Sequence, residues 1–225
     1  MRTDRLVYML LQIAALIIGI VVHESAHAAA AFALGDKTAR RRGRISLNPL
    51  RHIDPFGTVV LPAIMLALGG PVFAFAKPVP IDLRSLKHPK RDEVLIALAG
   101  PVSNVLVSFA ATAAMRAMVL SIVPRGALDP VLYLFDGLQM LVLLNLSLAF
   151  FNLIPLPPLD GSSILVPFLK GKALRTYYEI QRYAMPILIV VLYLLPSVLR
   201  IDVVGMYFDV TVYPLFDMLM GFVLH

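Results

Sequence analysis

An apolar run from Leu6 to Leu34 constrains this chain more than any other feature. At a helical rise of about 1.5 Å per residue, it crosses a hydrocarbon core of about 30 Å with length to spare. Further apolar stretches follow at 56–76, 94–123, 131–154, 183–199 and 203–224. Hydrophobic residues make up 59% of the 225 and charged residues only 15%. A water-soluble domain needs far more polar surface to cover its core, so lipid is the expected solvent for most of the chain.

The net charge of +6 does not point to nucleic acid, because the cations sit in short loops between apolar segments. Lys37, Arg40, Arg41, Arg42, Arg44 and Arg51 form one basic loop. Lys77, Arg84, Lys87, Lys90 and Arg91 form a second, and Lys170, Lys172, Arg175 and Arg182 a third. Such placement sets orientation in a membrane and predicts all three loops on the cytoplasmic side. No basic patch is interleaved with aromatic residues as single-stranded nucleic acid requires, so no nucleic-acid partner is expected. The absence of cysteine excludes disulfide and thiolate chemistry. A cleaved signal peptide is not expected, since the first apolar run carries the polar motif described below.

Gly35-Asp36 ends the first segment, and Asn48-Pro49 and Asp54-Pro55 are turn signals. Gly43 with the alternating Ile45 and Leu47 predicts a short β segment. The 56–76 stretch is broken by Pro62, Gly69, Gly70 and Pro71. A single crossing there would put two basic loops on opposite sides, which favours a re-entrant hairpin over an interrupted span. Arg116 lies near the outer end of its segment, where it can snorkel. Asp209 and Asp217 weaken the last stretch as a span. The expected fold is an all-α polytopic membrane protein, a single domain over residues 1–225. It has five to six transmembrane helices, a re-entrant hairpin and a short β segment near the cytoplasmic side.

The first segment contains His23-Glu24-Ser25-Ala26-His27. On a helix, positions i and i+4 share a face, so both imidazoles can meet one metal with Glu24 beside them as a base. Zinc binds neutral imidazole well and makes a water acidic enough to ionise near pH 7. The same five residues occur by chance in soluble proteins. Inside an apolar helix, two His and a Glu are costly without a partner or a cavity, and a metal compensates them. A catalytic zinc usually takes three protein ligands, and Asp160 in Pro157-Pro158-Leu159-Asp160-Gly161 is the best third candidate. The prolines forbid a continued helix there, so the segment needs protein or water around it. A turn residue or a helix N-cap is the other reading of Asp160.

His23-Glu24-Ser25-Ala26-His27 together with Asn152-Leu153-Ile154-Pro155-Leu156-Pro157-Pro158-Leu159-Asp160-Gly161 resembles the site-2 protease family of intramembrane zinc metalloproteases. Ala99-Gly100-Pro101-Val102-Ser103-Asn104 is similar to that family's A-G-P motif. The 48–55 loop and Ala76-Lys77-Pro78-Val79-Pro80 resemble a compact bacterial branch. The likeness covers roughly His23 to Gly161, and its specificity lies in the ordered combination of motifs. It implies one zinc held by His23, His27 and Asp160, and Glu24 as catalytic acid and base. It further implies Asn152 as a donor to the developing oxyanion, a role amides can fill. The alternative for Asn152 is hydrogen bonding between helices, the reading preferred for Asn145. Many relatives carry a PDZ or CBS module, for which these residues leave no room. Many also have a helix before the H-E-x-x-H helix, which this sequence lacks.

The resemblance implies hydrolysis of peptide bonds in transmembrane segments of other proteins, by a multi-pass protein of the cell membrane. The partners are then a transmembrane protein substrate and the lipid bilayer, with the oligomeric state open. A zinc-binding membrane transporter is the rival class, but it leaves Glu24 unexplained. An inactive binder of membrane proteins would not need the complete set of His23, Glu24, His27 and Asp160. His52, between two turn signals, reads as a solvated loop residue or as one near the mouth of the site. His88 and His225 lack ligand spacing, and Asp54 reads as a turn cap. Gly100, Pro101 and Asn104 read mainly as helix-packing residues, with Asn104 hydrogen-bonding to the zinc helix.

Overall fold

The computed structural model describes residues 2–54, 57, 60, 77–121 and 129–224. Helix α1, Arg2–Ala33, takes up the long apolar run. It stops because Gly35 turns the chain at φ +114°, a conformation that side chains rarely adopt. Gly35 N–H then bonds Phe32 O at 3.1 Å, and Asp36 N–H bonds Ala31 O at 2.9 Å. That pair of bonds is the Schellman closure of a helix C-terminus. Asp36 is fully buried, and its carboxylate accepts from Thr38 N–H at 2.8 Å and Asp82 N–H at 2.7 Å. The stop signal read in the sequence is thus also a clamp between two loops.

A short helix α2, Thr38–Arg41, follows, then single 3₁₀ turns at Pro49–Arg51 and Leu83–Ser85. Asn48 and Asp82 cap these turns through side-chain oxygens, as short polar residues do at such ends. Asp54 caps its own turn by accepting from Gly57 N–H at 2.7 Å. The expected β segment around Gly43, Ile45 and Leu47 is not present, and no strand occurs among the described residues. Side chains take the place of a partner strand there. Ser46 O accepts from Ser25 Oγ at 2.6 Å and from His52 Nε2 at 2.7 Å. The expected hairpin at 56–76 lies almost wholly outside the described residues.

Helix α3 is Pro89–Ser121 and α4 is Asp129–Asn152. Pro89 suits the first turn of α3, where its missing N–H has no partner to lose. Asp92 reaches back to accept the His88 N–H at 3.0 Å. Helix α3 continues through Pro101. The chain leaves α4 after Asn152, passes Pro155 and the cis Pro157–Pro158 bond, and forms a 3₁₀ segment, Asp160–Phe168. Amphipathic α5, Gly171–Ile180, comes next. Helix α6, Ala184–Ile189, then runs into a π-helical stretch, Val190–Leu199, that contains Pro196. Helix α7 is Val203–Leu224.

Four helices are long and apolar enough to cross a membrane: Arg5–Ala33, Pro89–Leu120, Val131–Asn152 and Val203–Leu224. The last is helical throughout, despite Asp209 and Asp217. Helices α1, α3 and α4 pack on one another, and α7 packs on α3 and α4. Ala111, Met115, Val142, Leu146, Val212, Leu219 and Val223 form the shared core. Arg116, near the C-terminal end of α3, donates to Val223 O at 3.2 Å, so α3 and α7 run parallel. Its guanidinium satisfies a helix-terminal carbonyl. Leu10, Ile17, Leu106, Phe109, Val210 and Phe222 remain exposed on the outside of the bundle. That is the surface a lipid solvent favours.

Three basic segments meet at one end of this bundle. Lys77 N–H bonds His52 O at 2.9 Å, the Asp36 carboxylate holds Asp82, and Lys90 Nζ donates to Leu169 O at 2.7 Å. The metal-ligand candidates lie just inside that end.

Candidate metal centre

His23 and His27 are one helical turn apart on the buried face of α1. Their Nε2 atoms approach to 2.9 Å. Asp160 Oδ2 lies 3.1 Å from His23 Nε2 and 3.3 Å from His27 Nε2. Two local features bring Asp160 there. The proline-rich segment turns the chain back at the end of α4. Gly161 then packs so closely that a Cβ would stand 2.2 Å from Leu153 O and 2.7 Å from Ile154 O. Only glycine fits, and the chain folds flat over the last turn of α4.

The other nitrogen of each imidazole is occupied. His23 Nδ1 sits 2.6 Å from Asn104 Oδ1, and His27 Nδ1 sits 2.7 Å from Ile96 O. Both oxygens only accept, so each ring carries its proton on Nδ1 and, when neutral, has a bare lone pair at Nε2. Two such nitrogens and a carboxylate oxygen therefore face one another with no hydrogen between them. Asp160 Oδ2 is buried and receives no hydrogen bond. Acceptors crowded in this way repel unless a cation lies among them. Two imidazoles and one carboxylate, with Nδ1–H groups held by oxygen, make a donor set suited to zinc with a further coordination position left open.

Helix α3 lies against this cluster. A Cβ on Gly100 would come 2.5 Å from His27 Nε2 and 2.6 Å from His23 Nε2. Ile96, Gly100 and Asn104 follow one another at i, i+4 and i+8, so a single stripe of α3 supplies both oxygens and the space between them. Glu24, half-buried, lies on the same turn of α1 and interacts electrostatically with His23, His27, Asp160 and Arg44.

The profile of Peptidase family M50 matches residues 130–195, a span that includes Asp160. Over 207 residues, the chain is 30% identical to "Putative zinc metalloprotease Rip2" of Mycobacterium tuberculosis, covering 92% of this chain and 73% of that protein. The chain belongs to peptidase family M50, the site-2 protease family. "Putative zinc metalloprotease YwhC" of Bacillus subtilis is 38% identical over 154 residues, 67% of this chain and 65% of that relative's length. The Rip2 of Mycolicibacterium smegmatis is 29% identical over 203 residues, 89% of this chain and 73% of that protein. No solved structure matches the chain. Family membership and the donor set both imply Zn²⁺.

The structure brings together His23, His27 and Asp160, with Glu24 between the two histidines on the same turn. It treats Asn152 differently. Asn152 Nδ2 donates to Leu148 O of its own helix at 2.9 Å, so in this conformation that N–H points back along α4. His52 is 1% exposed and is not the solvated loop residue that was the simpler expectation. Its Nε2, bonded to Ser46 O and 3.4 Å from Ser25 Oγ, pins the 43–52 loop to the zinc helix.

Two contributors escaped the sequence reading. Arg44, read as one more loop cation, is 5% exposed and donates to Arg51 O, Lys77 O and Pro78 O. Burial pushes its basicity down, and the attraction of Glu24 works the other way. It is a carbonyl staple below the site, and no sequence signal separates it from its neighbours. The second is a side-chain chain behind Asp160. Ser162 Oγ donates to Leu159 O at 2.8 Å, so Tyr177 Oη at 3.1 Å must donate to Ser162, and Gln181 Nε2 donates to Tyr177 at 2.9 Å. Helix α5 is thereby tied to the residues that follow Asp160.

Proposed function

We propose that this chain is an intramembrane zinc metalloendopeptidase that hydrolyses peptide bonds in transmembrane segments of other membrane proteins. The observation that carries this reading is the convergence of three bare donor atoms, from His23, His27 and Asp160, inside a bundle of membrane-spanning helices. Membership of a family whose relatives bear zinc-metalloprotease names supports it.

When bound there, zinc supplies a Lewis acid for the scissile carbonyl and a water activated near neutral pH. Glu24 takes a proton from the attacking water and returns it to the leaving amine. Asn152 is the donor this reading assigns to the oxyanion, a role that requires its Nδ2 to leave Leu148 O for the substrate. The buried faces of α1, α3 and α4 exclude lipid and bulk water from the reacting carbonyl. A substrate helix hides its carbonyls in its own i→i+4 bonds, so it must unwind locally. Segments weakened by Gly or Pro are therefore preferred.

The basic end of the bundle is cytoplasmic in this reading, and the protein lies in the cell membrane. The Lys77–His52 bond supports the re-entrant reading, since the chain leaves and rejoins the same point around 56–76. The parallel run of α3 and α7 favours four crossings over five to six. It places the start of α7 at the end where α4 finishes, so 183–199 departs from and returns to one side.

Zinc content per purified chain tests the reading directly. About one zinc in wild type, far less in Asp160→Ala, and a full complement with no cleavage in Glu24→Gln are expected. Wild-type protein that binds no zinc overturns the reading. Zinc unchanged in Asp160→Ala moves the third ligand elsewhere.

A further inference from the structure

We infer that Asn104 is a positioning residue, oriented by Asn145, that decides which nitrogen of His23 is presented to the metal. The inference rests on the zinc reading above and concerns how this chain prepares one ligand for it.

A side-chain amide can sit either way round, and its partners decide which. Asn145 Nδ2 donates to Leu141 O at 2.8 Å, a backbone acceptor that cannot change role. Asn145 Oδ1 is therefore the atom facing α3, and Asn104 Nδ2 donates to it at 2.8 Å. The second Nδ2 hydrogen goes to Gly19 O, 3.0 Å away on α1. With both hydrogens engaged, Asn104 must present Oδ1 to His23 Nδ1 at 2.6 Å. Oδ1 only accepts, so the proton stays on Nδ1 and Nε2 is bare. Asn104 and Asn145 are both fully buried. A flip of either amide would set N–H against N–H or oxygen against oxygen where water cannot help.

The relay thus starts at a backbone carbonyl of α4, passes through α3 and ends at the metal-facing atom of α1. Ser108 Oγ, bridging Asn104 O at 3.1 Å and Val142 O at 3.2 Å, holds α3 and α4 in register one turn further along. His27 needs no such relay, because its Nδ1–H meets the backbone oxygen of Ile96. His23 is the ligand whose tautomer depends on side chains, and the three-helix packing is written into its orientation. A helix-packing role alone would need polar groups at 104 and 145, but not an oxygen aimed at His23.

The test is Zn²⁺ affinity, measured with the metal alone against a competing chromophoric chelator, on the full-length protein in detergent. Asn104→Ala is expected to weaken zinc binding about 10- to 100-fold, the usual effect of removing a ligand's outer partner. Asn104→Asp retains an oxygen for His23 and loses both donors. It is expected to lower the melting temperature of the metal-free protein while holding zinc nearly as tightly as wild type. Asn145→Ala frees the Asn104 amide to turn and is expected to fall between wild type and Asn104→Ala. Wild-type affinity in Asn104→Ala overturns the inference. So does equal weakening in Asn104→Ala and Asn104→Asp, which would reduce the residue to packing. If wild type itself binds no zinc, the metal reading fails and the inference falls with it, a result distinct from either of these.

Discussion

Gly100 occupies the point where α3 comes nearest the two metal-facing nitrogens, and a single methyl there has no space. With 2.5–2.6 Å to both Nε2 atoms, Gly100→Ala must displace an imidazole or push α3 away. It is expected to abolish zinc binding and to cost about 1–3 kcal/mol in overpacking. Gly137→Ala is the control, since its nearest neighbour is the flexible end of Leu11 at 3.0 Å. Equal zinc content in the two variants would refute the steric reading of Gly100. Asp36 shows a different dependence on its surroundings. Burial works to raise its pKa, but hydrogen bonds from Thr38 and Asp82 outweigh it and hold the carboxyl below its ordinary value of 3.8. A lowered folded-state pKa stabilises above the unfolded value and is lost as pH falls through the folded one. The clamp between 36 and 82 should therefore persist through neutral and mildly acidic pH and fail only below about pH 3.8. Asp36→Ala should remove it at every pH, at about 1–3 kcal/mol for the stranded amides. A melting profile against pH checks both. At this scale, the cluster of His23, His27 and Asp160 was legible because metal chemistry restricts candidate ligands to a few residue types. Arg44 and Asp36 were not, because a buried charge held by backbone groups has the same sequence as a solvated one.

Among elements, the segment after α4 is the one whose position the site depends on, and its support comes from α5. Tyr177→Phe removes the hydroxyl that links Gln181 to Ser162, while the Ser162–Leu159 bond survives. The expected loss is about 1–3 kcal/mol, two hydrogen bonds at about 0.5–1.5 kcal/mol each. It should appear as faster amide exchange confined to 159–168, with α1 and α3 unaffected; faster exchange in α1 or α3 as well, or no change, would deny α5 its role. Tyr178, beside Tyr177, is pushed up to about 12 by burial and by Glu93, which its hydroxyl contacts at 3.4 Å. A raised pKa stabilises fully below the unfolded value and is lost as pH rises toward 12, so this contact persists across ordinary pH. The long apolar helices were legible from length and hydropathy, which need no tertiary information. The conformation around Gly43, Ile45 and Leu47 was not, because alternation predicts an extended chain but cannot show that side chains of Ser25 and His52 will satisfy the Ser46 carbonyl. The fifth expected segment is not among the four long apolar helices, and its side of the membrane depends on packing. Hydropathy cannot see that α7 runs parallel to α3, a fact carried by one Arg116 contact at the far end.

The arrangement of the whole molecule follows from which ends of the helices share hydrogen bonds. Residues 36, 52, 77, 82, 90 and 169 are joined at one end by bonds of 2.7–2.9 Å. Arg116 and Val223 are joined at the other. In the proposed topology the chain crosses an even number of times between 36 and 82, and again between 169 and 203, which agrees with both sets of bonds. Because the sequence contains no cysteine, single substitutions give a clean reading of side. Lys37→Cys, Lys87→Cys, Lys172→Cys and Asp202→Cys are expected to react with a membrane-impermeant maleimide from one face of the membrane, the cytoplasmic one. Ser121→Cys is expected to react from the other. Labelling of Asp202→Cys with Ser121→Cys would restore 183–199 as a crossing and break the parallel pairing of α3 with α7. Labelling of Lys37→Cys and Lys87→Cys from opposite faces would convert 56–76 into a span and separate Asp36 from Asp82. The second outcome would reach the metal centre too, because the loop that His52 ties to α1 could then not meet Lys77 and Pro78 through Arg44 and the His52 carbonyl.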